Sequence, residues 1–117
     1  MVGIQISKEL TDKVYEAIEM AKSTGKIKKG TNEVTKAIEK GKAKLVAIAK
    51  DVNPPEIVMH IPLIAEEKGI VAVEVPSREE LGAAGGIEVP TVAIAITEEG
   101  EAKALVASII EEAKRSK

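Results

Sequence analysis

Apolar residues at Leu10, Val14, Ala17, Ile18 and Ala21 recur at intervals of three and four, which places them on one stripe of a helix over residues 8–22. Ser7 stands where a side-chain oxygen caps a first turn, and Ser23-Thr24-Gly25 marks the end. Residues 26–29 alternate too briefly for more than a short edge strand. Gly30 then breaks the chain, and Thr31-Asn32 signals a new helix start. That second helix is expected to run to about Lys40, with Val34, Ala37 and Ile38 inward and Gly41 closing it.

The next segment, Leu45-Val46-Ala47-Ile48-Ala49, is apolar without interruption, the pattern of a strand covered on both faces. Residues 51–55, with Asn53-Pro54-Pro55, read as a loop. A helix over 56–68 follows, with Pro62 as its candidate break and Gly69 as its end. Residues 70–75 form a second buried strand, and Ser77 caps a short helix over 78–81. A glycine-rich loop spans 82–90 and a last strand 92–96. A closing helix over 101–115 turns Leu105, Val106, Ile109 and Ile110 inward. Helices alternating with buried strands predict an α/β protein. The expected form is a three-layer α/β/α sandwich on a small, mostly four-stranded mixed sheet, with residues 1–117 as a single domain. Sites on such sheets lie in loops at strand ends and at helix N-termini.

Composition narrows the function. The only aromatic residue of the Phe, Trp and Tyr set is Tyr15, so a platform that stacks splayed bases on aromatic rings is excluded. The absence of cysteine excludes disulfides and thiol chemistry. No run is long and apolar enough for a membrane span, and Met1 to Lys8 lacks the pattern of a signal peptide. A cytoplasmic protein without a membrane partner is therefore expected. The formal net charge of −2 argues against nucleic acid until its distribution is considered. From Lys26 to Lys44, seven lysines face two acids, Glu33 and Glu39, a local +5 that leaves −7 for the remainder. Phosphate responds to local potential, so the clustering outweighs the sum, although charge runs are commonly just solvated faces.

The chemistry concentrates in two stretches. In Lys28-Lys29-Gly30-Thr31-Asn32-Glu33-Val34-Thr35-Lys36 a strand ends, glycine admits a close ligand, and a helix begins where free N–H groups and the dipole favour anions. One reading is an ordinary helix start, with Asn32 as cap and Glu33 complementing the dipole. In the other, Asn32, Glu33 and Lys36 share a helix face and read base edges. Asn donates and accepts, Glu accepts from base amino groups, and Lys donates to guanine, with Lys28 and Lys29 nearby for phosphates. The second stretch is the loop of residues 82–90. It has no lysine and no phosphate-loop motif, yet carries Ile87, Val89 and Pro90. These apolar residues either tuck beneath the loop or form a shelf for an unstacked base. His60 is expected to make a local hydrogen bond; one histidine without cysteine does not support a zinc site. The acidic pairs at 66–67, 79–80, 98–99 and 111–112 read as solvated surface. No nucleophile–base pair is evident, so neither catalytic residues, metal nor cofactor is expected.

Taken together, KIKKGTNEVTKAIEKGKAKLVAIAKDVNPPEIVMHIPLIAEEKGI and ELGAAGGIEVPTVAIAI resemble the archaeal large-subunit ribosomal protein L-seven-Ae family. That family is related to the eukaryotic box C/D small nucleolar core protein and to ribosomal protein of the L-thirty-e type. The resemblance implies the same sandwich fold and binding to kink-turns, in which a bulge beside tandem sheared G·A pairs bends an RNA helix sharply. It implies that Asn32, Glu33 and Lys36 contact the G·A pairs, with Lys29, Gly30 and Thr31 beside them. Ile57 and the loop Ile87-Glu88-Val89-Pro90 would cradle the flipped-out nucleotide. The eukaryotic relatives tend to carry Ser-Arg where this chain has Glu88-Val89, so the loop here lacks an arginine.

The implied hosts are ribosomal RNA of the large subunit, box C/D and H/ACA guide RNAs, and ribonuclease P RNA, the last linked to tRNA processing. The implied role is to bind first, fix the bend and nucleate ribonucleoprotein assembly with other core proteins, as a monomer when free and not as an enzyme. Rival readings are a ribosomal structural protein restricted to one rRNA site, a DNA-packaging module, and a small phosphate-handling enzyme.

Overall fold

The computed structural model describes residues 4–52 and 56–115. Its strands are β1 (Ile4–Gln5), β2 (Lys26–Lys29), β3 (Leu45–Ala49), β4 (Ala72–Val75) and β5 (Ala93–Glu98). Its helices are α1 (Lys8–Thr24), α2 (Thr31–Glu39), α3 (Glu56–Glu67), α4 (Arg78–Ala84) and α5 (Lys103–Arg115), with a short 3-10 turn at Gly100–Ala102. The sheet order is β1-β4-β3-β5-β2. Strands β1, β4 and β3 run parallel, and β5 lies antiparallel to both β3 and β2. Helices α2 and α3 pack together, and α1 packs with α4 and α5, giving the α/β/α sandwich. Four strands carry the sheet; the two-residue β1, which no periodicity announced, adds to its edge.

The core reflects the lack of large aromatics. In the β3–β5 register Val46 faces Ala95, Ala47 faces Ile94 and Ile48 faces Ala93. Each pair sets a branched residue against an alanine, and all are buried. Such small–large alternation lets helices seat closely on both faces. Full burial of one branched side chain contributes about 1.5–3 kcal/mol.

Helix ends depart from the sequence pattern for local reasons. Helix α1 continues through Ser23 and Thr24, whose hydroxyls donate back to the carbonyls of Glu19 and Met20, and it closes where the Gly25 amide donates to the Ala21 carbonyl at 2.7 Å. Pro62 does not break α3. It is buried, between the buried Ile61 and Ala65, so packing against the sheet outweighs the missing N–H. Residues 70 and 71 precede β4 rather than open it, because the Ile70 amide closes the end of α3 on the Ala65 carbonyl, at 2.8 Å. Helix α4 extends to Ala84, so Gly82 is helical rather than part of the loop.

Candidate nucleic-acid interface

The strand directions gather the candidate segments at one end of the sheet. The C-terminal ends of β2, β3 and β4 lie beside the N-terminal end of β5. The turn at Gly30, the segment after β3, the start of α4 and the loop before β5 therefore converge. Backbone hydrogen bonds lock them. The Gly30 amide donates to Ala93 (2.9 Å), Ala49 to Val92 (2.9 Å), and Lys50 to Val75 (2.8 Å). The Arg78 amide donates to the Asp51 carboxylate at 2.9 Å, while the Arg78 carbonyl accepts from the Thr91 amide at 3.1 Å. The first residue of α4 thus ties two of the segments together.

Helix α2 starts at Thr31 with Gly30 as its cap residue, at φ 92°. A side chain at this backbone angle would be strained, although there is open space around it. Gly30 supplies no side-chain cap, and the expected capping role of Asn32 falls away: Asn32 is already the second helical residue. Asn32, Glu33 and Lys36 are all exposed, and their spacing puts them on one face of α2. Asn32 makes no side-chain hydrogen bond among the described residues, so its amide is available to a ligand. On the inner side, Val34, Ala37 and Ile38 anchor the helix in the core. The Thr35 hydroxyl lies 3.1 Å from His60 Nε2, fixing α2 against α3. His60 therefore bonds across two helices instead of locally.

Lys28 and Lys29, adjacent on β2, do not share a face. Successive strand residues face opposite sides of a sheet. Lys28 joins Glu33 and Lys36 in lining a groove of about 520 Å³ between β2 and α2, and Lys29 is not part of that lining. Six lysines line this groove: Lys26, Lys28, Lys36, Lys40, Lys42 and Lys44.

The loop before β5 divides in two. Val89 is 63% exposed and Ile87 only half-buried, while Glu88 and Pro90 are exposed. The Ile87 amide donates to the Gly82 carbonyl at 2.9 Å, holding the loop on α4. Val89 thus presents apolar surface at the converged end, whereas Ile87 is partly tucked beneath it. Ile57 falls on α3, but its side chain lies outside the described residues. The loop of residues 82–90 contains no lysine or arginine of its own. In the fold, the Lys22 side chain, near the end of α1, lies against Gly86. No local signal marks Lys22, because the contact exists only once α1 packs beside α4.

Among the described residues no cluster of three or more His, Cys, Asp or Glu could hold a metal ion, and no helix is long and apolar enough to cross a membrane.

Comparison with known proteins matches this architecture. The model of the ribosomal protein L7Ae/L30e/S12e/Gadd45 family matches residues 12–106. Among solved structures, the chain is similar to the Giardia lamblia 15.5kD RNA binding protein, at 35% identity and a TM-score of 0.91, covering 96% of this chain and 93% of that one. The chain belongs to the L7Ae/L30e/S12e/Gadd45 family.

Proposed function

We propose that this protein binds kink-turn RNA and acts as an assembly factor rather than an enzyme. The observation that carries the reading is the exposed Asn32–Glu33–Lys36 face of α2, which stands at the sheet end where the loop of residues 87–90 converges. A helix N-terminus with donor, acceptor and cation on one face suits paired base edges in a groove. The apolar Val89 beside it suits an unstacked base, in a protein without an aromatic platform. Family membership and the similarity to an RNA-binding protein support RNA as the partner.

The bend would be fixed by simultaneous hold on the G·A pairs and the flipped nucleotide. The host RNAs under this reading are large-subunit ribosomal RNA, box C/D and H/ACA guide RNAs and ribonuclease P RNA, met in the cytoplasm. Other ribonucleoprotein core proteins would join the bent RNA afterwards. Electrophoresis with a kink-turn RNA, the same RNA with its G·A pairs replaced, and duplex DNA tests the reading. Retardation of the first alone is expected; equal retardation of all three would replace specific recognition by general charge attraction.

A further inference from the structure

The groove between β2 and α2 extends well past the base-reading face. It begins at Lys28, Glu33 and Lys36 and continues to Lys40, the Gly41 turn, Lys42 and Lys44, with Lys26, Thr97 and Glu98 on its other wall. Of its six lysines, Lys26 forms an ion pair, at 3.4 Å to Glu98. The other five have no ion-pair partner among the described residues. A concave, largely uncompensated cationic wall gathers counterions that a polyanion releases on binding.

We infer that this groove is a track for the phosphate backbone of the RNA stem that continues beyond the G·A pairs, with Lys40, Lys42 and Lys44 as its far contacts and Glu98 as its restraint. The inference rests on the kink-turn reading and deepens it, since Glu33 and Lys36 belong to both surfaces. The dimensions fit: Glu33 to Lys40 spans about 10 Å of helix at 1.5 Å per residue. Duplex DNA spaces the phosphates of a strand at about 3.4 Å of axis and an A-form stem spaces them more closely, so this span covers at least roughly three phosphates. The two acids of the groove then have opposite roles. Glu33 sits on the base-reading face, where an acceptor is useful. Glu98 lies where only phosphate would pass, and there its charge repels the strand and occupies Lys26.

The test uses the intact protein and two kink-turn RNAs, one with a long stem and one whose stem stops at the G·A pairs, each with a G·A-replaced control. Lys42→Ala/Lys44→Ala should weaken long-stem binding on the order of tenfold and lower the slope of log affinity against log salt by about 1–2, leaving short-stem binding nearly unchanged. Glu98→Gln should tighten long-stem binding a few-fold. Lysine and Glu98 side chains here are exposed, so melting temperatures should stay near the parent value. Clear discrimination against the controls by the parent protein, with both variants binding the long stem as the parent does, would overturn the track and leave the kink-turn reading intact. Equal losses on long and short stems would overturn it too, in favour of diffuse attraction. Failure of the parent to discriminate would bring down both.

Discussion

The carbonyl oxygen of Val89 lies 2.5 Å from the position that a Cβ on Gly82 would occupy. Gly82 is inside α4, where alanine ordinarily stabilises a helix by about 1 kcal/mol. Here the methyl would meet backbone, which cannot rotate away. Gly82→Ala should therefore push the loop off the helix, lower the melting temperature by a few degrees and weaken kink-turn binding. A raised melting temperature with unchanged affinity would show that this contact does not hold the loop.

The same loop separates two neighbouring apolar residues. Val89→Ala removes surface that is already 63% exposed, so stability should hardly change, while RNA affinity falls by roughly 1 kcal/mol if an unstacked base rests there. Ile87 is half-buried, so Ile87→Ala should lower both stability and affinity. Thermal melts and RNA titrations on both variants check the contrast. A Val89→Ala protein that melts several degrees lower yet binds RNA normally would remove the shelf.

Glu33→Gln distinguishes reading bases from attracting phosphate. Losing an acid raises the potential of a lysine-rich groove, so charge attraction alone predicts tighter binding. Direct readout predicts a loss of about 1–3 kcal/mol. Titration of the variant with kink-turn RNA decides the sign, and tighter binding would end the base-reading role.

Tyr15 reports the seam between α1 and α4 without any ligand. Its hydroxyl donates to Glu80 Oε1 at 3.3 Å. Burial first, and then the charge of Glu80, push the phenol up from 10.0 to about 12. The fold therefore favours the neutral phenol. This stability contribution is complete below about pH 10 and is lost as pH rises through about 12. With one tyrosine and no tryptophan in the chain, near-ultraviolet absorbance of tyrosinate follows it directly. Ionisation of the folded protein near pH 10 would contradict the packed seam; Glu80→Gln should move the midpoint part of the way down.

Much of this was legible before folding. The stripes of α1 and α2 and the unbroken apolar run of β3 specify the elements, because burial demands those periods whatever the neighbours are. The Asn32, Glu33 and Lys36 face follows from helix spacing alone. What escaped the sequence depends on tertiary contact. Pro62 stays helical because it is buried, and α4 runs on through Gly82. Two pleat neighbours, Lys28 and Lys29, part to opposite sides. Thr35 meets His60 and Lys22 meets Gly86 only when separate segments are brought together. The length of the lysine groove is likewise invisible in a charge count, since its walls come from β2, α2, the turn at Gly41 and the end of β5.

The central claim is that the converged end of the sheet holds an RNA in its bent form. Energy transfer between dyes on the two arms of a kink-turn RNA, in low salt and without divalent cations, measures that bend as protein is added. The account predicts a saturable rise in transfer for the kink-turn and none for the G·A-replaced RNA at the same protein concentrations. Binding of both RNAs with no rise in transfer for either would contradict it.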